Sequence, residues 1–196
     1  MPTKLQVPQI DSILEEHQRT FKATFVPENL RLLEQIADEM AGAFQRGNKI
    51  LLCGNGGSAA DAQHIAAEFI GRFKRERKSL PAIALTTDSS VLTALANDYS
   101  YETVFSRQIE GLGARGDVLI AISTSGNSKN VIAAAKKAKE LGLTVIGFTG
   151  RSGGELKKHT DFNFSVHSDK TPHIQEMHTT ALHAVSEAVE HILFPA

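Results

Sequence analysis

After residue 48 the chain repeats one unit, and this repetition restricts its fold more than any other feature. Each unit is a short apolar run, a turn built from Gly, Ser, Thr or Asp, and an amphipathic segment. The runs are Ile50 to Cys53, Ala82 to Leu85, Val118 to Ile122 and Val145 to Phe148, with a weaker fifth at Phe162 to Val166. Strands alternating with helices predict an α/β fold, a doubly wound, mostly parallel five-stranded sheet flanked by helices. In such sheets ligands bind beyond the carboxyl ends of the strands. That is where the turns Gly54 to Ser58, Thr86 to Ser90, Ser123 to Ser128 and Thr149 to Gly154 must lie.

Helical periodicity surrounds this core. Residues 29–46 carry Leu33, Ile36, Ala37, Met40 and Phe44, and residues 10–25 carry Ile10, Ile13, Leu14, Phe21 and Phe25, with Pro27 between them. A third segment, roughly 174–193, has Ile174, Met177, Leu182, Val185, Val189 and Ile192 at three- and four-residue spacing. So much helix outside a five-stranded sheet points to packing between protomers. A chain of 196 residues, 41% of them hydrophobic, can bury its core as one domain, with residues 1–47 as a helical segment and 48–196 as the α/β core.

A formal net charge of -1 gives no broad cationic field, which argues against nucleic acid or an anionic membrane as the main partner. Cys53 is the only cysteine, so an intramolecular disulfide is excluded and a reducing compartment fits. Residues Met1 to Pro8 lack the apolar core of a secretory signal, and no stretch has the ~18 apolar residues of a membrane span. The expectation is a soluble, cytoplasmic protein acting on small molecules.

Two turns carry most of the chemistry. In Cys53-Gly54-Asn55-Gly56-Gly57-Ser58 a strand passes through glycines into a helix, so backbone N–H groups and a helix N-terminus can face an anion. In Ser123-Thr124-Ser125-Gly126-Asn127-Ser128 hydroxyls gather at another helix start, where they can donate to phosphate oxygens. This is a neutral phosphate site; neither a Walker lysine motif nor Gly-x-Gly-x-x-Gly is present. The plainer alternative is that Ser and Asn only cap a helix and shape its turn.

His64 and Glu68 stand four residues apart on the helix launched by the glycine turn, hence on one face. They form a solvated surface pair, ligate a metal, or place a carboxylate beside a carbon next to a carbonyl. The C-terminal helix offers Gln175, Glu176, His178, His183 and His191, whose spacing alone reads as an ordinary polar face. The basic run Arg72 to Lys78 reads as a solvated helix end, with Arg72 as its one candidate phosphate contact. Asn97-Asp98 either binds sugar hydroxyls or stops a helix.

Taken together, Cys-Gly-Asn-Gly-Gly-Ser-Ala-Ala-Asp-Ala-Gln-His at 53–64, Ala96 to Tyr99, Phe105 to Gln108, Ile122 to Ser128 and Ile174-Gln175-Glu176 resemble the sugar isomerase (SIS) domain family over nearly the whole chain. One departure is Ala96, where close relatives often have glycine. The resemblance implies a flavodoxin-like sandwich and a homotetramer, the N-terminal helices serving oligomerisation and the active sites lying between subunits. It implies substrate contacts from Asn55, Gly56, Gly57, Glu68, Asn97, Asp98, Ser123, Thr124, Ser125, Ser128 and Gln175, with Glu68 and His183 as the catalytic acid/base pair. It also implies zinc, one ion per subunit, at His64, Glu68, Gln175 and His183.

The reaction so implied is ketose–aldose isomerisation of D-sedoheptulose 7-phosphate to D-glycero-D-manno-heptose 7-phosphate through an enediol, the first step toward the heptose of a lipopolysaccharide core. The rival is a non-catalytic SIS regulator that binds a phosphosugar or associates with a replication initiator. Retention of Glu68 and His183 weighs against it, because a binding module needs neither proton carrier.

Overall fold

The computed structural model describes residues 9–195, so Met1 to Pro8, including the stretch read for a secretory signal, lie outside the described residues. Two helices come first, α1 (Ile10–Thr24) and α2 (Pro27–Gln45). The alternating core follows as β1 (Ile50–Cys53), α3 (Gly57–Ile70), β2 (Ala82–Ala84), α4 (Ser89–Asp98), α5 (Ser106–Leu112) and β3 (Val118–Ser123). It continues through α6 (Lys129–Leu141), β4 (Thr144–Gly150) and β5 (Phe162–Val166) to the long closing helix α7 (Thr171–Leu193). Local chemistry sets several of these ends. Pro27 opens α2, the Asp88 carboxylate accepts the Val91 N–H at 2.9 Å to cap α4, and Gly142, at φ +80°, closes α6.

The five strands run in the order β2-β1-β3-β4-β5, and every neighbouring pair is parallel. Strand residues alternate between two cores. Ile50, Leu52, Val118, Ile120, Ile146 and Phe148 meet α2, α3 and α7 on one face, while Leu51, Cys53, Leu119, Ala121 and Val145 meet α5 and α6 on the other. This double burial explains why the strands read as unbroken apolar runs rather than as an alternating pattern. It also drives the Cys53 thiol up to about 12, which keeps the sulfur a neutral core atom.

Strand order reverses between β1 and β3, so the loops leaving these two strands flank the crevice of the sheet. By contrast α1 is thinly seated: its buried residues are Thr20 and Thr24, and Ile10, Ile13, Leu14 and Phe21 stay exposed on the single chain. No helix among the described residues is long and apolar enough to cross a membrane.

The basic run departs from its reading as a solvated helix end. Helix α3 stops at Ile70, and residues 71–78 form a loop folded against the end of α7. Arg77 and Glu190 form a salt bridge at 2.8 Å with side chains only 1% and 2% exposed. The run's charge pattern hides this because the carboxylate that holds it lies more than a hundred residues away.

Candidate active site

The β1 and β3 loops are tied together across the crevice. Asn55 and Asn130 exchange two amide hydrogen bonds, each 2.9 Å, and the Tyr101 hydroxyl donates to Asn55 Oδ1 at 3.1 Å. Gly56 takes φ +57°, a backbone state that disfavours other residues, and turns the chain into α3. At Gly57 a Cβ would collide with the Gln175 amide, so this glycine lets the side chain from α7 reach the turn.

Two turns along α3, the ionisable groups gather. His64 Nε2 lies 3.0 Å from Glu68 Oε1 and 3.3 Å from His183 Nε2. All three residues can bring a donor atom within 4.8 Å of the others. A protonated His64 Nε2 has one N–H and no lone pair in the ring plane, so it can donate to the carboxylate but cannot also accept from His183 Nε2. Such convergence of N and O donors fits a divalent cation, since donors around tetrahedral zinc sit roughly 3.3 Å apart. Gln175, about two turns back along α7 from His183, approaches from the Gly57 side.

The positions of these groups are fixed from behind. Arg77 donates to the Glu68 and Phe69 carbonyls at 2.8 and 2.9 Å, capping the end of α3. Its partner Glu190 accepts the N–H groups of Phe73, Lys74 and Arg75 at 3.1, 2.9 and 3.0 Å. Those bonds and Arg77 outweigh the burial that would raise the Glu190 carboxyl, and hold it below the usual range. They set Phe73 beside His183, with ring centroids 5.6 Å apart.

The serine loop is built differently. Ser123 Oγ donates to Ser128 Oγ at 3.0 Å, and Ser128, at the N-cap of α6, makes no side-chain capping bond. The Ser128 hydroxyl therefore does not cap the helix, whereas Ser125 Oγ accepts the Asn127 N–H at 3.1 Å and shapes the turn, as the plainer alternative has it. Gly126, at φ +68°, packs against Gly153 and Gly154 so closely that a Cβ would overlap their backbone. Gly150 N–H donates to the Thr124 carbonyl at 2.9 Å, and Leu156 N–H to that of Gly126 at 2.8 Å. Beside the loop lies a hollow of about 210 Å³ lined by Thr124, Ser125, Gly150, Arg151, Ser168 and Asp169, among others. The loop is neutral as expected, while the hollow beside it carries one charge of each sign, Arg151 and Asp169.

Several functional candidates escaped the sequence. Asp61 lies one turn before His64; its Oδ1 accepts the Thr179 hydroxyl at 2.8 Å and its buried Oδ2 has no protein partner among the described residues. Burial raises its carboxyl, opposed by Thr179 and by the charges of His64 and His183. The spacing 61, 64, 68 was the available signal. The polar face expected of α7 also divides. Gln175 and His183 enter the site, whereas His178 is fully buried, donates from Nε2 to the Thr149 carbonyl at 3.1 Å and is pushed down to about 4 by burial. Asn97 and Asp98 are exposed at the end of α4, where the Asn97 amide donates to Asp98 Oδ1 at 2.9 Å. Arg72 is exposed and pairs loosely with Glu76 at 3.7 Å. A groove of about 560 Å³, lined by Ile83, Val91, Leu95 and Leu112 among others, lies along β2, α4 and α5, and none of the ionisable cluster lines it.

Comparison with known proteins agrees with this arrangement. The SIS domain profile matches residues 15–150. A phosphoheptose isomerase from Roseiflexus sp. is 53% identical over 192 residues, covering 98% of this chain and 95% of the relative. One from Clostridium acetobutylicum is 51% identical over 186 residues, covering 95% and 93%. Among solved structures, the phosphoheptose isomerase of Neisseria gonorrhoeae superposes with a TM-score of 0.85 at 42% identity, covering 92% of this chain and 96% of that one. The enzyme from Francisella tularensis gives 0.88 at 35% identity, covering 93% and 96%.

Proposed function

Because the chain belongs to the SIS domain family, and within it to the phosphoheptose isomerases, we propose that it converts D-sedoheptulose 7-phosphate to D-glycero-D-manno-heptose 7-phosphate. The observation that carries this reading is the convergence of Glu68 and His183 on His64, on the helix that the glycine turn launches. Phosphate held by Ser123, Thr124, Ser125 and Ser128 would leave the carbonyl end of an open-chain sugar to reach along Asn55, Gly56 and Gly57 toward α3.

In the forward reaction the Glu68 carboxylate takes a proton from C1 of the ketose, exchanges it with solvent at the cis-enediol stage, and delivers a proton to C2. His183 carries the second proton from O1 to O2, so the net change is one hydrogen moved on carbon and one on oxygen. Gln175 and Asn55 donate to sugar oxygens, and the Arg77–Glu190 pair keeps Glu68 and Phe73 in register with His183. His64, Glu68, Gln175 and His183 are the residues that would hold zinc. When bound there, a divalent cation supplies Lewis-acid stabilisation of charge on the sugar oxygens. A catalytic pair of this kind is superfluous in a regulator, which favours the enzyme over the non-catalytic alternative.

The proposed assembly is a homotetramer with sites completed between subunits. The exposed apolar residues of α1 support that arrangement. In this reading 48–196 supplies the chemistry and 1–47 the packing helices. A reducing cytoplasm is the proposed setting, consistent with a lone, buried Cys53.

The test gives purified protein sedoheptulose 7-phosphate in deuterated water and follows the sugar by NMR. The expected result is aldose bearing deuterium at C2. An unchanged ketose with no deuterium incorporated, with and without added zinc, rejects the reading.

A further inference from the structure

A second group of metal-type donors lies outside this site, where the first turn of α7 meets α1. His17 Nδ1 stands 2.6 Å from Glu176 Oε2, and His173 Nδ1 stands 3.3 Å from the same oxygen. His17, His173 and Glu176 can each bring a ligand atom within 4.8 Å of the others. The same limit describes His64, Glu68 and His183, so the chain contains the two-imidazole, one-carboxylate set twice. His173 is the anchor, with its side chain only 8% exposed and the Glu16 carboxylate 3.9 Å from its Nε2. Glu16 also pairs with Lys170 at 2.7 Å, so it stands behind the group rather than within it.

We propose that His17, His173 and Glu176 form a second divalent-metal site of zinc type, which fastens α1 to α7. The donors suit a borderline ion, with nitrogen from two rings and oxygen from one carboxylate. Zinc would require His17 and Glu176 to part by about 0.7 Å, a small rotation for two half-exposed side chains, since neighbouring donors around the ion sit roughly 3.3 Å apart. The role is structural: α1 buries only Thr20 and Thr24 of its own residues, and a metal joining positions 17 and 173 would close a long stretch of chain.

Cobalt(II), whose visible spectrum reports nitrogen and oxygen ligation, is titrated into metal-stripped, untagged protein, with metal content counted by mass spectrometry. In a His64→Ala/His183→Ala variant, where the crevice cluster is gone, one ion per chain is expected to remain. When His17→Gln/His173→Gln is added to that variant the ion is expected to be lost, together with the rise in melting temperature that zinc gives the His64→Ala/His183→Ala protein. No ion bound by the His64→Ala/His183→Ala variant overturns the proposal, as does a combined four-residue variant that still binds one. The first variant leaves α1 and α7 untouched at the proposed site, so its result does not depend on whether the second variant folds. Neither count depends on isomerase activity, and the proposal stands or falls separately from the assigned reaction.

Discussion

The loops leaving β1 and β3 are neighbours, joined by the Asn55–Asn130 amide pair, yet they present opposite chemistry. The β3 loop offers hydroxyls and a helix start, groups whose charge does not change near neutral pH. The β1 loop launches a helix carrying His64 and Glu68, and meets His183 from α7. Two histidines of α7 show the same division within one helix. His183 reaches the crevice beside His64, while His178, five residues earlier, is sealed beneath the end of β4 and held neutral. Position relative to the sheet, not residue type, separates a proton carrier from a core polar group.

The largest effect should come from removing the proton carriers. Glu68→Gln and His183→Ala are each expected to lower kcat by about 10²–10⁴-fold while leaving phosphosugar binding largely intact. Turnover at the parental rate in either variant would remove that residue from the mechanism and erase the contrast between the loops.

The buried histidine should appear in stability rather than rate. Its folded pKa is depressed from 6.5 to about 4, so on acidification the unfolded chain takes up a proton that the folded chain refuses. Stability is therefore intact above about pH 6.5 and declines as pH falls toward 4, by roughly 3 kcal/mol from this group alone. His178→Leu should flatten that part of a urea-unfolding series measured across the same pH range. An unchanged slope would mean that another group controls it.

The smallest change is expected in the hydroxyl loop. Ser128→Ala breaks the Ser123–Ser128 bond and one candidate phosphate contact, and should raise KM by about 2–10-fold with kcat little altered. A collapse of kcat with KM unchanged would place the reacting carbons, rather than the phosphate, at this loop.

Much of this organisation was legible because it is local. Each strand was recognisable as an apolar run, and the structure starts or ends the elements within a few residues of those runs. The glycine turn and the i, i+4 pair His64–Glu68 were visible for the same reason. Gln175 and His183 were not, since from spacing alone they match any polar helix face; only the family motifs pointed to them. Arg77 misled more strongly, because a charged run in sequence usually means a solvated surface, and its neutralising partner comes from the far end of the chain. Tyr101 likewise joins the crevice, and Arg151 the hollow beside the serine loop, through backbone turns that periodicity does not encode.

By itself the sequence determined the order of strands and helices, the glycines that permit Gly56 and Gly126 their positive φ, and the hydroxyl character of one loop. Those properties depend on side-chain size, backbone sterics and hydrophobic period, all set within a few residues. The tertiary structure alone decided which ionisable groups meet. Folding α7 back over α3 brings His183 to His64 and Gln175 to Gly57, and seals Glu190 around Arg77. Electrostatic character depends on what lies within a few ångströms and how much water remains, and neither is a property of neighbouring positions along the chain.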